Sequence, residues 1–198
     1  MKLSSSTASV PAFVTDEFTA PAAASPTAFV LAIATSTSPV TLSGAGLTGG
    51  TGAGALSPAR NVTVTVGGLG AGITNGSAVV LTGTDPTGAV QTETVTLTVV
   101  GSPGIFLGLK LFASLTSVAI PAQAAATATI AVGFGVLLGL SQKVRSRAGR
   151  LAVLQEVSGA VALTTGTVAN PASCPVASYS PVAAANGVLN YAVTYEHA

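Results

Sequence analysis

Four of the chain's seven basic residues fall within eight positions, Lys143, Arg145, Arg147 and Arg150 in "QKVRSRAGR". The alternate spacing of the first three puts them on one face of an extended segment. Such a face can grip an acidic partner surface, and it can equally be an ordinary solvated loop. Nucleic acid is a poorer fit. No aromatic residues are interleaved for base stacking, and the whole chain carries a net charge of only +1.

Other chemistry is thin. His197 is the only histidine and sits beside the last residue, where no buried, oriented imidazole is expected. The six carboxylates, Asp16, Glu17, Asp85, Glu93, Glu156 and Glu196, are scattered. Nothing pairs them as in a glycosidase, and Asp16 with Glu17 offers too few oxygens for calcium. Cys174 is the only cysteine, so no intrachain disulfide or thiolate cluster can form. It reads as a small buried hydrophobe. Gly44-Ala45-Gly46-Leu47-Thr48-Gly49 spells GxGxxG, yet more glycine and then Pro58 follow where a helix is required. The sequons at Asn61 and Asn75 read as accidents of a Thr/Ser-rich chain, because "MKLSSSTASV" lacks the apolar stretch of a secretory signal. No catalytic, cofactor or metal site is assigned, and a non-enzyme is expected. Arg60 and Glu93, in separate strand segments, are proposed to form an ion pair within or between subunits.

The scaffold that must carry these residues is charge-poor. Thirteen of 198 residues are Asp, Glu, Lys or Arg, where an average chain of this length has about fifty. So few charges do little to oppose self-association. Either the surface is an uncharged Thr/Ser/Gly one, or partner subunits cover much of it.

Strand signals dominate. "NVTVTV" places Val62, Val64 and Val66 on one face and Thr63 and Thr65 on the other. "SAVVLTGT" and "AVQTETVTLTVV" flank "DPTG", whose Asp85, Pro86 and Gly88 suit a type I turn. Val95, Leu97 and Val99 then face opposite to Thr92, Thr94, Thr96 and Thr98. The apolar window from Ala122 to Leu140 resembles a membrane span before a basic cluster, but Ile130, Val132, Phe134 and Val136 alternate with Ala131, Gly133 and Gly135. A period of two is a strand's, so no membrane span is expected. "LAVLQEVSGAVALTTGTVA" fits either a helical stripe or a hairpin, and "GVLNYAVTYE" reads as a last strand. Short strands between Gly/Pro turns predict an all-β fold, an antiparallel β-sandwich or barrel-like domain over residues 58–198. Residues 1–57, rich in Ala, Pro and Gly, are expected to form an extended arm and loop, with short strands possible in "AFVLAIATSTSPVTL".

The segments "ARNVTVTV", "VVLTGTDPTGAVQTETVTL", "FASLTSVAIPA" and "ATIAVGFGVLLGL", with the closing "NGVLNYAVTYE", resemble a recurrent pattern in structural proteins of tailed bacteriophages. The likeness covers about residues 58–145 and the tail. It implies a small head-associated component, a capsid decoration or cement protein in many copies. Such a protein would bind across joints of the major capsid protein lattice, usually as a trimer, in the virion after synthesis in the host cytoplasm. It implies no catalytic residue. The long first 57 residues depart from the pattern. A tail, head-tail connector or fibre-like component is the alternative within a virion. A carbohydrate-binding β-domain is the alternative outside one, although the chain has no Trp and only three Tyr.

Overall fold

The computed structural model describes residues 12–47, 55–68, 70–98, 103–147, 150–151, 153–158, 161–163, 166–172 and 174–196. At 55, 70, 146–147, 150–151, 153–158 and 161–163 it describes the backbone alone. The strands are β1 (Phe13–Phe18), β2 (Ser25–Ala34), β3 (Val40–Ser43), β4 (Ala55–Gly68) and β5 (Ser77–Thr84). They continue with β6 (Val90–Leu97), β7 (Gly104–Ile120), β8 (Ala128–Gly139), β9 (Ser146–Arg147) and β10 (Arg150–Leu151). The last five are β11 (Val153–Ser158), β12 (Val161–Leu163), β13 (Thr167–Ala169), β14 (Ser178–Ser180) and β15 (Tyr191–Glu196).

The fold is all-β, antiparallel and sandwich-like, without a closed barrel. A nine-stranded sheet runs β13-β14-β8-β4-β7-β5-β6, with β2 added on β8 and β3 on β7. A four-stranded sheet, β1-β15-β11-β12, packs beside it, and β9 pairs with β10. The ambiguous stretch after Arg150 is extended: β11 pairs with both β12 and β15. The apolar window before the basic cluster contains β8, and among the described residues no helix is long and apolar enough to cross a membrane.

Alternation decides which side of each strand is buried. Val62, Val64 and Val66 of β4 are at most 1% exposed, as are Ile130 and Val132 of β8. They join Val79, Leu81, Val95, Leu97, Phe112, Leu115 and Val118 in the main core. The β5–β6 hairpin is the one read from "DPTG": the Gly88 amide donates to the Asp85 carbonyl at 3.0 Å, and Gly88 turns with φ +89. The Asp85 carboxylate accepts from the amides of Thr87 (2.8 Å) and Ala89 (3.0 Å) and from the Thr87 hydroxyl. Burial at the turn acts to raise its pKa, but these bonds outweigh it and hold the carboxyl below its ordinary value.

The described part of the first 57 residues is not a free arm. β1 pairs along its whole length with β15, β2 pairs with β8, and β3 pairs with β7. Phe29 and Val30 are buried in the main core, with Phe29 edge-on to Phe134 at 6.2 Å. Pro21 and Pro39 fall between these strands and Pro26 lies within β2, while "AFVLAIA" supplies the apolar surface that docks them. A polar knot ties β1 and β15 to the segment that follows β8. The Tyr195 hydroxyl donates to Asp16 (2.8 Å), which also accepts from the Ser141 amide (2.7 Å). Tyr195 is pushed up to about 12, by burial above all and with the adjacent Asp16 acting the same way.

The outward positions of β8 are small for a reason. A Cβ on Gly133 would collide with the Ser25 carbonyl and the Pro26 backbone, where β2 crosses. Gly133→Ala is expected to overpack this crossing and cost about 1–3 kcal/mol. Urea unfolding of the two proteins measures it, and an unchanged midpoint would show that β2 has room to move aside.

Candidate functional site: paired bulges beneath an apolar groove

β4 lies between β7 and β8, and both neighbours slip out of register against it at the same level. On β8, Phe134 faces Val62 and Leu138 faces Arg60, so four residue steps on β8 span two on β4. On β7, Leu107 faces Thr63 and Leu111 faces Asn61, again four steps against two. Each neighbour therefore bulges, β8 at 135–137 and β7 at 108–110, and bulges leave ladder groups without strand partners.

Three polar side chains take up those groups. Arg60 donates from Nε (3.1 Å) and Nη2 to the Gly135 carbonyl, and from Nη1 (3.0 Å) to the Ala22 carbonyl. Asn61 accepts from the Leu137 amide (3.1 Å) and donates to the Gly108 carbonyl (3.3 Å), touching both bulges at once. Glu93 reaches across from β6 and accepts from the amides of Leu109 (2.6 Å) and Lys110 (3.1 Å) through one oxygen. Its second oxygen is buried without a partner.

The expected Arg60–Glu93 pair is thus corrected within the chain. Each serves a different bulge, one taking a carbonyl and the other two amides. Arg60 is only 2% exposed, which also leaves it unsuited to pairing across a subunit boundary. Its guanidinium lies over the Phe134 ring, 5.0 Å from the centroid. Burial brings its pKa down to about 10, with Tyr191 opposing, so it stays charged at neutral pH. Asn61 is buried and doubly bonded, so its sequon is closed to modification in the folded chain.

Above the bulges lies a groove of about 400 Å³. Asn61 and Thr63 of β4 form its floor with Gly108, Phe134 and Gly135. Ile105, Leu107 and Leu109 of β7 rise on one side, and Ala24, Pro26, Val136 and Leu137 on the other. The three β7 side chains are 61%, 64% and 69% exposed, and Val136 is 42% exposed. The hydroxyls of Thr63 and Thr65 are buried on this face without partners. Sequence reasoning missed the ridge because "GIFLGLKLF" is apolar at both parities, so alternation could not show its outward side. Glycines 108, 133 and 135 inside strand patterns were the available signal, since they mark bulges and close backbone approach.

The basic cluster is partly consumed inside the chain. Lys143 donates to the Pro171 carbonyl (2.6 Å), and Arg145 pairs with Glu196 (2.8 Å). Arg147 and Arg150 face each other across β9 and β10, and their side chains lie outside the described residues. So do His197, Gly49 and the Glu156 side chain. Cys174 is buried with Ala59, Leu111 and Val176. Among the described residues, no three His, Cys, Asp or Glu side chains gather as metal ligands would. No protein-family model matches the chain, and comparison with curated proteins and with solved structures finds no match.

Two outcomes follow for the bulge residues. Arg60→Lys is expected to cost about 2–3 kcal/mol, because one ammonium cannot reach both carbonyls and a buried acceptor is left unmet. Chemical denaturation measures this, and wild-type stability would show that a single bond suffices. Glu93 has its pKa raised by burial, which the Leu109 and Lys110 bonds only partly offset. Its folded form therefore takes up a proton more readily than its unfolded form. The stability this gives is complete below the ordinary value of 4.5 and fades as pH rises through the raised one. Glu93→Gln lacks that titration, so its stability relative to wild type should improve from pH 4 to pH 7. A constant difference across that range would show that Glu93 ionises in the fold as freely as in the unfolded chain.

Proposed function

We propose that this chain is a tailed-phage capsid decoration or cement protein, a homo-oligomer that binds the outside of the assembled head and bridges major capsid subunits. The observation that carries the reading is an uncovered apolar groove on a chain with thirteen charged residues in 198. A surface of this kind gains from being covered, and with few ions to desolvate the covering costs little. The resemblance of the strand segments to phage structural proteins supplies the setting. Binding to the assembled shell and not to free subunits stabilises the shell by mass action, and many copies make small contacts add up. Within the basic cluster, Arg147 and Arg150 are the positions proposed for an ionic contact with an acidic partner surface.

The carbohydrate-binding alternative loses ground. Tyr179, Tyr191 and Tyr195 are all buried, and among the described residues only Phe13 is an exposed aromatic. Stacking platforms for sugars need exposed rings.

Cryo-electron microscopy of the purified particle tests the proposal. Regular density over the capsid lattice, in numbers comparable to the major capsid protein, is expected. Density confined to the tail or neck would replace decoration with a tail or connector role. Absence from the particle would end the virion reading.

A further inference from the structure

We infer that the groove is a contact between copies of this chain: the ridge of Ile105, Leu107 and Leu109 of one copy seats in the groove of another. The inference rests on the assembly reading above and names which of the neighbours covers this face.

Area is the first argument. The exposed parts of Ile105, Leu107, Leu109 and Val136 amount to roughly 400–500 Å² of apolar surface, the size of the largest patch on an ordinary monomer. Two such faces together bury about 900 Å², short of the standard size of a stable complex and in the range of weak, transient contacts. Shape is the second. Ridge and groove stand side by side on one face, so the face carries both halves of its own complement. A two-fold axis seats both ridges at once, and a closed ring seats each ridge in the next copy. Charge is the third. The ionic groups nearest the ridge are already engaged, Glu93 with the Leu109 and Lys110 amides and Lys110 Nζ with the Thr92 carbonyl. A charged partner meets no ionic side chain on the groove lining, and a second apolar ridge meets no like charge there.

The test is sedimentation of the full chain across a concentration series reaching about 100 µM, where a micromolar contact is populated. The wild type is expected to reach the mass of two or three chains. Leu107→Glu on the ridge and Val136→Glu on the opposite wall should each weaken association at least tenfold. Both positions are exposed, and thermal unfolding confirms that each variant is folded. Val188→Glu, at a 76% exposed position outside the groove lining, should leave association unchanged. A monomeric wild type at the highest concentration overturns the inference, as does an oligomer that survives both groove variants. These failures are separate from failure of the decoration reading, which is decided by presence on the particle. If the wild type is monomeric and Leu107→Glu abolishes particle binding, the groove belongs to the capsid partner, and the copy contact is overturned.

Discussion

The middle of this fold depends on β4 satisfying two neighbours that both fall out of register against it at one level. An interrupted ladder inside a sheet strands amides and carbonyls that water cannot reach, and each unmet group costs on the order of 1–3 kcal/mol. The chain meets this with three side chains and no extra strand. Arg60 and Asn61, adjacent on β4, both reach the β8 bulge, Asn61 also reaches the β7 bulge, and Glu93 arrives at the β7 bulge from β6. The bonds run from side chain to backbone, so the charges of Arg60 and Glu93 are spent on peptide dipoles and not on each other. That is an unusual use of two charged residues in a chain that has only thirteen.

The same slip shapes the outer surface. A strand that bulges re-aims the side chains on either side of the extra residues. Ile130, Val132 and Phe134 point into the core as their alternation requires, while Val136, two positions on, stands 42% exposed in the β8 bulge. On β7 the bulge ends the outward ridge at Leu109, and Leu111 beyond it is fully buried. Glycine at 108 and 135 keeps the floor low. A Cβ at Gly135 would lie 2.6 Å from the Asn61 carboxamide oxygen, and one at Gly108 would press on the Glu93 carboxylate. The residues that mend the ladder and the residues that open the groove are therefore parts of one feature.

What the sequence made legible was local. Alternation in "NVTVTV" and "TIAVGFGV" placed the core valines and isoleucine, and the turn chemistry of Asp85, Pro86 and Gly88 placed the β5–β6 hairpin. What it hid was relational. Asn61 looks like one half of a sequon until three strands converge on it. Arg60 and Glu93 look like an ion pair because opposite charges are visible in a sequence, whereas register slips between strands distant in the chain are not. The first 57 residues read as an arm because Pro, Ala and Ser set their composition. The pairing of β1, β2 and β3 with β15, β8 and β7 depends on partners at least 74 residues away in sequence, as in Ser43 against Ser117. The basic cluster was found, but only its register with Pro171 and Glu196 shows that Lys143 and Arg145 work inside the chain.

Specificity at the proposed contact face has to come from shape. Charge patterns normally set partner choice by penalising wrong contacts as much as by favouring right ones. Here the groove lining offers no ionic group, so neither steering nor repulsion can act through it. A flat apolar sheet face would then accept any partner. The bulges prevent that by breaking the face into a ridge of three side chains and a trough beside it, which only a matching relief fills. Arg60 and Asn61 hold that relief rigid from below: both bulges are tied to β4 through bonds that a displaced strand would have to break. The buried polar residues that seemed to offer chemistry thus serve geometry, and on the proposed contact face geometry is what is left with which to choose a partner.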